Sequence, residues 1–72
     1  LSYEQEQAAV RACILKHLSG VGTETEDQVL RVACRGGFPH RAALSSLRAL
    51  ARDGIIQPLT DGYRLVVPQQ QD

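Results

Sequence analysis

Glycine and proline divide this chain into short segments, and that punctuation restricts it to small helices joined by tight turns and followed by an extended stretch. Gly20 and Gly22, then Gly36-Gly37 and Pro39, then Gly54, separate three stretches of helical periodicity, while Asp61-Gly62 divides two β-branched ones. In the first stretch Val10, Cys13, Ile14 and Leu18 recur at spacings of three and four. Ser2 and Gln5 fit a capping box at its start, and Gly20 is the residue suited to turn left-handed at its end, so a helix is expected over 3–19. Thr25 caps a second helix over 26–35, whose first turn carries Glu26 and Asp27 against the positive end of the helix dipole and whose last turn carries Arg35. Pro39 suits the first position of a third helix over 39–53, in which Leu44, Leu47, Leu50 and Ala51 form the apolar stripe.

Beyond Gly54 the β-branched pair Ile55-Ile56 starts an extended arm, Thr60-Asp61-Gly62 is a turn signal, and Tyr63, Leu65 and Val67 alternate onto one face. A hairpin is expected, with Pro58 holding its first arm at a sheet edge. Residues 1–67 then form one domain and 68–72 a polar tail that leaves the fold. The expected core is Val10, Cys13, Ile14, Leu18, Val29, Leu30, Ala33, Leu44, Leu47, Leu50, Ile55, Tyr63, Leu65 and Val67. With 43% hydrophobic and 22% charged residues the chain can bury such a core rather than remain disordered, although 72 residues suffice for one domain only. It reads as a module taken from something longer.

Several function classes are disfavoured by what is missing. No apolar run is long enough to span a membrane, and the opening Leu1-Ser2-Tyr3-Glu4 lacks the features of a secretion signal, so no membrane association is expected. Cys13 and Cys34 are too few for a disulfide scaffold and point to a reducing intracellular setting, nuclear or cytoplasmic. Cys13, His17, Cys34 and His40 can be drawn as four zinc ligands, but both cysteines fall on apolar stripes, where a free thiol behaves as a small buried hydrophobe. No carboxylate is placed by sequence to orient either His for nucleophilic catalysis, and Gly36-Gly37 is a helix stop rather than a phosphate loop. The chain is therefore expected to be no enzyme, to hold no cofactor or metal and to take no small-molecule substrate.

The order helix, helix, helix, hairpin, with a short Gly-containing turn between the second and third helices and the exit Asp53-Gly54-Ile55-Ile56 into a hairpin around Asp61-Gly62, resembles the winged-helix superfamily. The implied fold is mainly α with a small β-hairpin, a three-helix winged helix-turn-helix. The segment from Gly37 to Gly54, with Pro39 near its start, is similar in length and phase to the Z-form nucleic-acid binding winged helices of RNA-editing deaminases. The contact residues of that group do not carry over: Leu44 and Arg48 stand where it has an Asn and a Tyr on the third helix, and the wing offers only Tyr63. Cullin C-terminal domains are similar in carrying a modifiable lysine on their first helix, and Lys16 is the one lysine here.

Charge is balanced in total but unevenly placed. Residues 1–27 set Arg11 and Lys16 against Glu4, Glu6, Glu24, Glu26 and Asp27, whereas in 28–67 Arg31, Arg35, Arg41, Arg48, Arg52 and Arg64 face only Asp53 and Asp61. On the third helix Arg41, Ser45, Arg48 and Arg52 lie at i, i+4, i+7 and i+11 and share one face, opposite the leucines. In winged-helix proteins that bind DNA this helix enters the major groove and the wing touches the backbone. The resemblance thus implies nucleic-acid contacts, with duplex as the expected partner, for His40, Arg41, Ser45, Arg48 and Arg52, and a wing contact for Arg64. A solvated charged face, with Arg48 or Arg52 paired to Asp53, would give the same pattern without a ligand. A sequence pI near 6.9 is low for a DNA-binding domain and keeps a second class open. Winged helices also dock protein segments on the third helix and wing, and the acidic first helix with Leu15, Val21, Leu59 and Val66, apolar residues expected to be exposed, would suit a protein partner.

Overall fold

The computed structural model describes residues 2–66. The elements run α1 (Tyr3–Val21), β1 (Thr23–Thr25), α2 (Glu26–Arg35), α3 (His40–Arg52), β2 (Ile56–Pro58) and β3 (Gly62–Leu65). The strands form one antiparallel sheet in the order β1-β3-β2. The fold is mainly α with a small β-hairpin, its topology compatible with a winged helix-turn-helix. None of the described helices is long and apolar enough to cross a membrane.

The ends of these elements follow from local chemistry. Ser2 Oγ accepts from the Gln5 amide at 3.1 Å while the Ser2 amide donates to Gln5 Oε1 at 3.3 Å, a complete capping box. Thr25 Oγ1 accepts from the Gln28 amide at 3.2 Å and starts α2. Helix α2 closes with Phe38 N donating to Ala33 O and Gly37 N to Cys34 O, and α3 repeats this with Ile55 N to Leu50 O and Gly54 N to Ala51 O. Both are Schellman closures, with Gly37 at φ 92° and Gly54 at φ 79° in the left-handed region. Two termini differ from expectation. α1 runs on through Gly20 to Val21, and Gly22, at φ 84°, turns the chain because its amide donates to Leu18 O and its carbonyl accepts from Leu65 N on β3. Pro39 lies one residue earlier than expected, as the N-cap of α3 with an extended backbone, and its carbonyl takes the first helical bond from Ala43.

The core gathers Val10, Ile14 and Leu18 from α1, Val29, Leu30 and Ala33 from α2, Ala42, Ala43, Leu47 and Leu50 from α3, and Ile56 from β2. Ile55 is 40% exposed and Ile56 1%, so the two exchange the expected roles. The Ile55 amide is committed to closing α3, and pairing begins at Ile56↔Leu65, which turns Ile56 inward. Cys13 is half-buried and Cys34 exposed, both free thiols. The expected burial of Cys34 fails because α2 buries only Val29, Leu30 and Ala33, and Cys34, one residue on, is rotated away. Leu44, Tyr63 and Leu65 are half-buried against the core rather than within it, as is Leu15, which was expected to be exposed. The expected core position Val67 and the tail at 68–72 lie outside the described residues.

One buried polar contact joins α1 to α3: Ser46 Oγ donates to Gln7 Oε1 at 2.9 Å. Replacing Ser46 by Ala strands that oxygen, and a loss of about 1–3 kcal/mol is expected in urea unfolding. The paired change Gln7→Met with Ser46→Ala, which removes both polar groups, should recover most of it.

Candidate functional site

The face of α3 opposite the core is the candidate site. Ala43, Leu47 and Leu50 recur at the spacing that buries one side of the helix, which leaves Arg41, Ser45, Arg48 and Arg52 exposed on the other flank. Ala42, Ala43 and Ser46, all small and buried, let α1 approach α3 closely. Between the two helices lies a groove of about 590 Å³. Arg41, Ser45, Arg48 and Arg52 all line it from α3, and Tyr3, Glu4, Gln7 and Arg11 line it from α1. Four arginines therefore line one hollow, together with a single acidic residue, Glu4.

These cations are sparsely neutralised. Arg52 Nε stands 3.7 Å from Asp53 Oδ1, an exposed pair of little energetic weight. Arg11, Arg41 and Arg48 form no ion pair among the described residues, whereas Arg31, on α2, pairs with Asp27 at 3.4 Å. Near the groove, the Tyr63 hydroxyl donates to Glu26 Oε1 at 2.9 Å, which ties β3 to the start of α2. Burial raises the Tyr63 phenol above its ordinary value, the bond to Glu26 and that residue's charge add to the shift, and the positive charge of Arg48 opposes it.

The other two residues singled out in the sequence lie elsewhere. His40 is the exposed first residue of α3 and does not line the groove. Arg64 is on β3, hydrogen-bonded to Gln57 on the neighbouring strand, and lines a separate hollow with Leu18, Ser19, Thr23 and Val66. Of the residues drawn as a zinc set, His17 is engaged with Glu24, Nε2 to Oε2 at 2.8 Å, linking α1 to β1. No three His, Cys, Asp or Glu gather to hold a metal ion among the described residues.

The α1 wall of the groove escaped the sequence reading. Its signal is present: Tyr3, Gln7 and Arg11 are spaced at i, i+4 and i+8. Gln7 also falls in phase with the buried Val10, Ile14 and Leu18, an uncommon place for a polar side chain. The chain matches no protein-family model, no curated protein and no solved structure.

Proposed function

We propose that this chain is a winged-helix module that binds nucleic acid through the arginine face of α3. The observation that carries the reading is the convergence of Arg11, Arg41, Arg48 and Arg52 on one groove, three of them without an ion-pair partner among the described residues. Arginine's planar fork matches phosphate and guanine edges alike, and cations held away from carboxylates keep their charge for a ligand. The neutral total does not oppose this, because Glu4 is the one acid that lines the groove, while Glu24, Glu26 and Asp27 lie in β1 and the first turn of α2. His40, beside Arg41 at the start of α3, and Arg64, on the sheet's outer face, would add contacts at the margins of such a ligand.

The test is an NMR titration of the labelled domain with short duplex DNA at two salt concentrations. Amide shifts within 40–52, with weaker ones at 60–66, that fade as salt rises are the expected result. Absence of shifts at low salt would overturn the reading in favour of protein docking. That second reading draws on Ile55 and Val66, about 40% exposed and joined through the Val66 N to Ile55 O bond, an apolar pair that a partner segment could cover.

A further inference from the structure

We infer that the groove between α1 and α3 is a seat for the sugar-phosphate backbone of one strand of a duplex, held from both walls by arginines, with the Gln7 amide at its floor. The inference rests on the nucleic-acid reading above and deepens it: the recognised chemistry is phosphate, and α1 is half of the site.

Shape is the first argument. A helix that reads base edges must project beyond its surroundings into a major groove roughly 12 Å wide. The arginine stripe of α3 instead looks across a hollow at Tyr3, Gln7 and Arg11 of α1. A concave site with basic walls suits a strand laid along it, not a pair of bases approached edge-on. Arg41 and Arg52 are eleven residues apart, so the stripe extends roughly 16 Å along the helix axis. Phosphates are spaced about twice as far apart along a strand as the 3.4 Å rise along the duplex axis, so that length covers roughly two or three of them.

Gln7 supplies the second, independent argument. It is only 7% exposed, and its Oε1 is committed to Ser46. Its Nε2 donates to no partner among the described residues, although the residue lines the groove. No buried side-chain nitrogen or oxygen lacks a partner among the described residues, so this Nε2 keeps contact with solvent and stays available as a donor to a ligand rich in acceptors. Phosphate oxygens are such acceptors, and guanidiniums on both walls would neutralise their charge. Glu4, the one acid in the lining, works against this ligand.

The test is fluorescence anisotropy with a labelled short duplex and a scrambled duplex of equal composition, each at two salt concentrations. Arg11→Glu on α1 is expected to weaken binding about tenfold or more, comparably to Arg48→Glu on α3, and to lower the salt slope by about one. The scrambled duplex should bind within about threefold of the original, since phosphate contacts carry no sequence information. Glu4→Gln should tighten binding, and circular dichroism verifies that each variant keeps its helices. If Arg11→Glu stays within about twofold of the parent while Arg48→Glu weakens binding, the two-walled seat is wrong and the nucleic-acid reading stands. A discrimination of tenfold or more between the two duplexes would mean base reading and also overturn the seat. Equal competition by polyglutamate, charge for charge, would assign the groove to an acidic protein. No binding of either duplex by the parent would overturn both readings.

Discussion

Gly62→Ala should cost roughly 3 kcal/mol or more, the upper end of what overpacking a closed site exacts, and leave a domain this small largely unfolded at modest urea. A Cβ at Gly62 would lie 2.0 Å from the carbonyl oxygen of Glu24 and 2.6 Å from Thr25 Cα. Both are backbone atoms of β1, so no rotamer change can relieve the clash and the strand itself must move. Moving it breaks the pairing Thr25↔Gly62 and disturbs three further ties: Glu26 N to Asp61 O, the Tyr63 bond to Glu26, and the His17 bond to Glu24. Amide exchange should show β1 losing protection before the helices do. Gly20→Ala is the matched control, because Gly20 lies within α1 and an added Cβ meets nothing within 4 Å. That change should stabilise by about 0.5–1 kcal/mol, the usual advantage of alanine over glycine in a helix. Equal unfolding midpoints for Gly62→Ala and the parent would refute the close approach.

The double change Arg48→Glu with Arg52→Glu should weaken duplex binding about a hundredfold at low salt and reduce the salt slope by about two, one for each phosphate no longer neutralised. Both side chains are exposed and stand clear of the core, so the unfolding midpoint should shift by no more than about 0.5 kcal/mol. Loss of binding without loss of stability separates a ligand-facing role from a structural one. Arg31→Glu serves as the comparison at a site outside the groove, with the charge change of one of the two substitutions. It lies on α2, outside the groove and already beside Asp27, and should cost little affinity. Unchanged affinity in the double variant would sink the placement of nucleic acid on α3. A neutral module can still behave this way because steering and contact depend on local potential, and the groove concentrates cations that the total charge conceals.

Much of the fold is legible in the chain because its signals are local. The Ser2 and Thr25 caps, the Gly37 and Gly54 stops and the periodicity of three helices each concern residues within one or two turns of one another. The arginine stripe on α3 is legible for the same reason, since i, i+4, i+7 and i+11 on a helix share a face whatever surrounds it. β1 is the counterexample. Thr23-Glu24-Thr25 carries no strand pattern, and it is a strand only because β3 offers it an edge. Gly62 misled in a related way. It reads as a turn glycine, yet its φ is not positive, and the missing side chain serves the approach of β1.

By itself, then, the sequence determined three capped helices, a hairpin with Pro58 on an edge strand, and a basic face on the third helix, because each rests on backbone chemistry or helical phase at short range. Only the tertiary structure decided that Ile56 rather than Ile55 enters the core, that Cys34 stays outside it, and that Ser46 satisfies Gln7 from 39 residues away. It alone also joined Tyr3, Gln7 and Arg11 to the arginines of α3. The physical reason is common to all of these. Which face of an element is buried, and what stands across from it, depends on the approach of a partner distant in sequence, here permitted by the small residues Ala42, Ala43 and Ser46 that let α1 and α3 close around a groove.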